Sequence, residues 1–218
     1  MLTTLKGYVR TLLRDCFVWD LIQRKIDGWK IYYWEKNGKL GPPPHAVKRR
    51  ILSSFAEKYG ANTLIETGTF LGDMVYAMRS MFQTIYSIEL SVDLVKKAKR
   101  RFRSYPHIQI LAGDSGKILP QILAKVRTPC LFWLDGHYSG GITAMGETEC
   151  PIINELTSIL EHNTSSHIIL IDDARCFDGT SGYPTLDELQ NLVINHGSKY
   201  EITAADDVIR ICPVAKYM

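Results

Sequence analysis

The chain has 218 residues and a mass of 24.8 kDa, which is enough for one well-buried domain. Its residues are 45% hydrophobic and 22% charged, and this composition excludes disordered and collagen-like proteins. The net charge of +3 is unevenly divided, because residues 1–62 hold 12 Lys and Arg against 5 Asp and Glu, whereas residues 63–218 hold 14 against 18. The acidic remainder argues against nucleic acid as a partner, and the basic head favours acidic partners or an anionic membrane surface.

The first sixty residues predict an N-terminal helical segment. Apolar residues recur at spacings of three and four between positions 5 and 26, which indicates an amphipathic helix that ends near Gly28. An aromatic segment follows at residues 29–34, and residues 38–44 contain Gly and three Pro that break any helix. We expect this aromatic segment to pack against the main domain or against a second subunit in a homo-oligomer; a membrane interface is the alternative.

A second amphipathic helix is predicted over residues 45–59, with Gly60 as its C-cap. His45 at its start is a candidate for substrate contact, with a surface histidine as the simpler interpretation. The five cysteines are far apart and form no C-x-x-C pair, which argues against a disulfide scaffold or a zinc knuckle. No run approaches the ~18 apolar residues of a membrane span, so we expect a cytoplasmic protein.

From residue 61 onward, short apolar runs alternate with helical stretches. Strands are predicted at residues 63–66, 85–89, 108–111, 129–134 and 167–171, and an antiparallel pair at residues 200–203 and 208–212. Cys130 and Trp133 lie within one of these strands and are expected in the core. Alternating βα units of this length predict an α/β fold, with a parallel sheet covered by helices on both faces.

Acidic residues follow each of the first five predicted strands. In an open parallel sheet the ligand crevice lies beyond the carboxyl ends of the strands, so these side chains should converge on one pocket. The alternative for any one of them is to cap the helix that follows. The set is Glu66, Glu89, Asp114, Asp135, Asp172 and Asp173.

The first strand is followed by a turn with two glycines, E-T-G-T-F-L-G at residues 66–72. It is neither G-x-G-x-x-G nor a P-loop, and a negative Glu66 beside it would repel a pyrophosphate. A cationic ligand therefore fits this turn better. Glu89 lies 23 positions further on, where a carboxylate can accept hydrogen bonds from both hydroxyls of a ribose.

With G-D-S at residues 113–115, these motifs resemble the class I S-adenosylmethionine-dependent methyltransferases over about residues 60–213. The resemblance implies a Rossmann-like, doubly wound, seven-stranded sheet, mostly parallel with a reversed last strand, in a domain at residues 61–218. It also implies that the glycine turn holds the methionine part of the cofactor, Glu89 its ribose and Asp114 its adenine amine. The cofactor-binding residues implied in this way are Glu66, Gly68, Thr69, Gly72, Glu89, Asp114 and Ser115.

The residues after the fourth and fifth strands resemble the metal-dependent O-methyltransferases, especially those that act on antibiotic deoxysugars. The resemblance implies that Asp135, Asp172 and Asp173 bind Mg²⁺ or a similar divalent cation, and three carboxylates suit such a hard ion. Where the sugar enzymes carry a general base two positions after the metal ligand, this chain has His137, whose imidazole titrates near neutral pH. The lysine of the catechol-type enzymes is replaced by Tyr138.

The implied reaction is methylation of a hydroxyl on a sugar, a glycan or a glycosylated metabolite. The metal-ligand residue Asp135 and the base His137 would be catalytic, and the glycine-rich residues 139–143 would form a substrate loop or lid. The alternatives are that His137 is structural and that Asp172 and Asp173 are solvent-facing caps. Two other functions stay open at this point: an NAD-linked Rossmann oxidoreductase, and a non-catalytic peripheral membrane or scaffold protein.

Overall fold

The structure is a computed structural model that describes residues 17–136, 151–163, 166–197 and 199–214. The chain divides into two compact units, Met1–Lys48 and Arg49–Met218. The first contains helix α1 (Phe17–Lys36) and the start of α2 (His45–Tyr59), and the second contains the sheet. In the part of the chain that the structure describes, no helix is long and apolar enough to cross a membrane.

Helix α1 does not end at Gly28, so that expectation is wrong. The helix continues through the aromatic segment, and the amide of Asn37 still donates to the carbonyl of Tyr33 at 3.0 Å. A glycine inside a helix costs only about 1 kcal/mol relative to alanine, so a single one does not stop a helix of this length. The helix ends where Gly38 adopts a left-handed φ of 70°. Helix α2 has the predicted bounds.

The described residues form one seven-stranded sheet in the order β3-β2-β1-β4-β5-β7-β6. Strand β7 is antiparallel to both of its neighbours, and the other pairs are parallel. This confirms the mostly parallel, Rossmann-like sheet with a reversed last strand. The strands are β1 (Thr63–Thr67), β2 (Thr84–Glu89), β3 (Ile108–Ala112), β4 (Leu131–Leu134), β5 (Ile168–Ile171), β6 (Tyr200–Ala205) and β7 (Val208–Pro213).

The core lies around the central strands β4 and β5, whose residues are all buried. Such continuous burial is expected where helices cover both faces of a parallel sheet. Trp133 and Cys130 are buried as predicted. The remaining helices are α3 (Asp73–Met78), α4 (Val92–Arg101), α5 (Ser115–Leu123), α6 (Ile152–Leu160), a 3₁₀ turn (Ala174–Cys176) and α7 (Leu186–Asn195).

A buried histidine, His167, lies directly before β5, at the amino end of the strand. Its Nδ1 accepts a hydrogen bond from the amide of Cys130 at 3.0 Å, which puts the ring proton on Nε2, 3.0 Å from Nδ1 of His162. Burial and the neighbouring His162 lower the pKa of His167 to about 4. This imidazole is therefore a neutral part of the core at neutral pH.

Candidate cofactor and metal site

The carboxyl ends of the central strands lie level with one another. Thr67, the last residue of β1, pairs with Ile88 of β2 and with Leu134 of β4, and Leu134 pairs with Ile171 of β5. The chain segments that leave these strands therefore meet at one edge of the sheet. That edge holds the acidic residues that the sequence placed there.

The first turn is packed tightly against the residue that follows β4. Gly68 has a φ of 85°, and its amide donates to the carbonyl of Ile88 at 3.0 Å. A Cβ at this position would lie only 2.2 Å from the carbonyl oxygen of Asp135. The glycine is thus required by contact with Asp135 as well as by its backbone conformation. Gly72 is also required for two reasons: its φ is 73°, and a Cβ there would lie 2.7 Å from the ring of Phe102.

Glu89 is held in place by two backbone amides. Its Oε2 accepts from the amide of Phe70 at 2.7 Å, and its Oε1 accepts from the amide of Ser91 at 2.9 Å. Each oxygen of an ionised carboxylate has two lone pairs, so each keeps one for a ligand hydroxyl. The structure therefore fixes Glu89 at the end of β2 in a geometry that suits a ribose.

Glu66 belongs to a buried polar network rather than to the surface of the turn. The hydroxyl of Ser87 donates to Glu66 Oε2, and the same hydroxyl lies 2.6 Å from Thr69 Oγ1. The pKa of Glu66 is raised to about 8, mainly by burial; the Ser87 hydrogen bond acts in the opposite direction, and the charges of Glu89 and Asp73 add to the increase. The expectation that Glu66 is a fixed negative charge that repels a pyrophosphate is therefore wrong near neutral pH, where this carboxyl is mostly protonated.

Asp114 and Ser115 begin helix α5. Asp114 is the N-cap, and its Oδ1 accepts from the amide of Gly116 at 2.9 Å. The amide of Gly113 donates to the carbonyl of Glu89 at 3.0 Å, which places Asp114 beside the end of β2. The structure thus shows the capping role that was the alternative for this residue, at a position next to Glu89.

Asp135, Asp172 and Asp173 come together as predicted. Each offers a carboxylate oxygen, and these oxygens lie within 4.8 Å of one another. Asp172 is only 3% exposed, and its Oδ1 accepts from the amide of Asp173 at 2.8 Å. Three hard oxygen donors at this separation fit a divalent cation such as Mg²⁺.

Arg175 connects this cluster to the turn between β6 and β7. Its Nη1 donates to Asp173 Oδ1 at 2.9 Å and also to Asp207 Oδ2. The Arg175 amide donates to Asp207 Oδ1 at 2.9 Å. Asp173 has a left-handed backbone, with a φ of 57°, so these contacts stabilise a conformation that an aspartate seldom adopts. The guanidinium also offsets part of the negative charge of the cluster.

A shallow pocket opens beside Asp172, and its volume of about 10 Å³ is close to the space that one water molecule needs. Gly136 lines it, and a Cβ there would lie 3.0 Å from Thr67 Oγ1 and 3.3 Å from Oε1 of the buried Glu155. His137, Tyr138 and the loop at residues 139–143 lie outside the described residues. The pocket is lined by Leu134, Gly136, Pro151, Ile152, Glu155, Ile171, Asp172, Phe177 and Tyr183.

Three residues of this edge are missing from the sequence prediction. Ser87 is a polar residue inside a buried strand, and Glu155 is a charged residue on the apolar helix α6. Both residues interrupt a hydrophobic pattern, and this interruption could have identified them as candidate site residues. Arg175 left no comparable signal, because its partner Asp207 lies 32 positions away.

No protein-family model and no curated protein sequence matches the chain. Solved structures do match over most of its length. An O-methyltransferase from Bacillus cereus in complex with S-adenosylhomocysteine has a TM-score of 0.59 and 14% identity, covering 95% of this chain and 97% of its own. The chain has the methyltransferase fold.

Two further structures with this methyltransferase fold are similar to the chain. The O-methyltransferase TomG from Streptomyces achromogenes, in complex with S-adenosylmethionine, has a TM-score of 0.55 and 14% identity, covering 86% of this chain and 88% of its own. The S-adenosylhomocysteine-bound methyltransferase PaMTH1 from Podospora anserina has a TM-score of 0.55 and 14% identity, covering 92% and 97%. At these identities the likeness establishes the fold.

Proposed function

We propose that this protein is an S-adenosylmethionine-dependent O-methyltransferase that uses a divalent metal to methylate a hydroxyl of a sugar, glycan or glycosylated metabolite. The observation that carries the proposal is the meeting of the glycine turn, Glu89 and the three-aspartate cluster at one edge of a methyltransferase fold. The complexes of the Bacillus cereus, Streptomyces achromogenes and Podospora anserina proteins with this cofactor or its product support it.

The cofactor would lie along the edge from β1 to β3. Glu89, fixed by two amides, would accept hydrogen bonds from the ribose hydroxyls. The turn with Glu66, Gly68, Thr69 and Gly72 would hold the methionine part. Asp114 and Ser115 would contact the adenine from the first turn of α5, where the cap already fixes the Asp114 carboxylate.

The metal would be held by Asp135, Asp172 and Asp173, whose oxygens are close enough to share one ion. When bound there, a divalent ion orients an acceptor hydroxyl and lowers its pKa. His137 follows Asp135 by two positions and would take the proton from that hydroxyl. Arg175 donates to Asp173 Oδ1 and would restrict the motion of this carboxylate.

The acceptor would approach the metal beside Asp172, where the shallow pocket has room for a hydroxyl group. Phe177 and Tyr183 line it, and their rings meet edge to face with centroids 5.3 Å apart. Aromatic rings next to carboxylates suit a small polar molecule with apolar ring faces, such as a sugar, better than a nucleic acid backbone. We place this reaction in the cytoplasm, where S-adenosylmethionine is available.

Calorimetric titration with S-adenosylmethionine, S-adenosylhomocysteine and NAD tests the proposal first. We expect binding of the two sulfur compounds, and weaker binding in Glu89→Ala but not in Glu57→Gln, which changes an exposed carboxylate on α2. Transfer of a labelled methyl group to a panel of sugars and glycans, with Mg²⁺ or with chelator, then tests the reaction. Binding of NAD alone would contradict the proposal and favour an oxidoreductase.

A further inference from the structure

Helix α1 carries an apolar face that is exposed to solvent. Ile22, Ile26, Trp29 and Tyr33 follow one another at spacings of four, three and four, which puts them on one side of the helix. They are 45%, 39%, 64% and 42% exposed, and the neighbouring Tyr32 is 56% exposed. We call these five residues the aromatic face of α1.

The aromatic face is organised rather than scattered. The ring centroids of Trp29 and Tyr33 are 4.0 Å apart, and Tyr32 meets Tyr33 edge to face at 5.6 Å. Trp and Tyr have an apolar body and a polar tip, and both residue types are enriched where a protein meets the headgroup level of a bilayer. Exposed apolar surface of this kind marks a site of interaction.

Positive charges flank the aromatic face. Lys25, Lys30 and Lys36 are exposed, and the Lys36 ammonium lies 5.8 Å from the centre of the Tyr32 ring. At 100° per residue, the acidic residues Asp27 and Glu35 fall on the other side of the helix from Trp29. Over residues 1–48 the chain has 9 Lys and Arg against 4 Asp and Glu. The charge next to the apolar surface is thus basic.

We propose that the aromatic face of α1 binds the surface of a membrane that contains anionic phospholipids. An aromatic stripe between lysines fits such a surface, because the rings enter the headgroup region while the ammonium groups contact lipid phosphates. Pairing of this face with a second copy would bring like charges together. The helix would therefore lie on the membrane, and this binding goes beyond the methyl transfer proposed above.

Cosedimentation of the full chain with vesicles tests this inference. We expect binding to vesicles of phosphatidylcholine mixed with phosphatidylglycerol, little binding to phosphatidylcholine alone, and weakening in high salt. Trp29→Ala with Tyr33→Ala should weaken binding by more than about tenfold, because two interfacial side chains are lost. Lys25→Gln with Lys36→Gln should weaken it by about tenfold or more at low salt and reduce its salt dependence.

Matched controls separate this face from exposed surface in general. Ile194→Ala removes an apolar side chain that is 57% exposed on α7, and Lys96→Gln removes a lysine that is 65% exposed on α4. Both should bind vesicles like the wild type, and all variants should keep wild-type circular dichroism. Wild-type binding by the Trp29 and Tyr33 double variant would overturn the proposal. The proposal would also be overturned if the wild-type protein does not bind vesicles and instead forms a dimer, detected by ultracentrifugation, that the double variant does not form.

Discussion

Replacing Glu66 by glutamine should change how the stability of the protein depends on pH. The carboxyl is 2% exposed, and burial raises its pKa from 4.5 to about 8. Between these values the folded protein holds a proton that the unfolded chain has released. The contribution of this group to the free energy of unfolding is therefore largest below pH 4.5, and it decreases as the pH rises to about 8. Glutamine has no such proton, and its amide oxygen can still accept from Ser87.

The size of the change in stability follows from the difference between the pKa of Glu66 in the folded protein and in the unfolded chain. Each pH unit is worth about 1.4 kcal/mol, so between pH 4.5 and pH 7 the wild type should lose about 3 kcal/mol relative to Glu66→Gln. Urea denaturation of both proteins, without ligand, at pH values from 5 to 8.5 measures this difference. Other titrating groups, including His167, are present in both proteins and cancel in the comparison.

Glu57→Gln is the matched control, since Glu57 is exposed on α2. It also replaces a glutamate by glutamine, but at the protein surface. If the difference between Glu66→Gln and the wild type is constant from pH 5 to 8.5, then Glu66 is ionised in the folded protein and the argument from burial fails.

Four further experiments test the site and the fold. Glu89→Ala should weaken S-adenosylhomocysteine binding by about 1.5–3 kcal/mol by calorimetry, because hydrogen bonds to a charged group are lost; unchanged affinity would remove the ribose role. Asp172→Asn should weaken Mn²⁺ binding, measured by paramagnetic resonance, by more than about tenfold, since a charged ligand is lost; chelator should leave S-adenosylhomocysteine binding intact. Gly68→Ala should lower the free energy of unfolding by about 1–3 kcal/mol in urea, because its Cβ meets Asp135; wild-type stability would mean that the turn relaxes at no cost. His167 should remain neutral at pH 5.5 in a nitrogen-15 NMR titration, since burial lowers its pKa to about 4, and a protonated ring at that pH would contradict the buried geometry.

The sheet was predictable because its signals are local. Each strand is a short apolar run between breakers, and burial of β4 and β5 on both faces makes those runs continuous. The convergence of the acidic residues then follows from parallel topology alone. The end of α1 was not predictable in the same way, because a glycine such as Gly28 can either end a helix or lie inside one.

The state of the site was harder to predict than its location. The pKa of Glu66 depends on its burial and on a hydroxyl from the neighbouring strand, and neither is visible in the turn sequence. Asp173 is held by Arg175, which is fixed in turn by Asp207 from the far hairpin. Contacts across such separations come from tertiary packing, so sequence spacing did not reveal them.

The contact between Gly68 and Asp135 has a consequence for protein engineering. The two segments touch through backbone atoms, with 2.2 Å between a Cβ built on Gly68 and the Asp135 carbonyl oxygen. A designer who wishes to transplant an acceptor loop from another enzyme can therefore exchange residues beyond Gly136, but must keep the backbone path of residues 135–136. A graft that reroutes this path would also displace the turn after β1, so new acceptor specificity and cofactor affinity would have to be selected together.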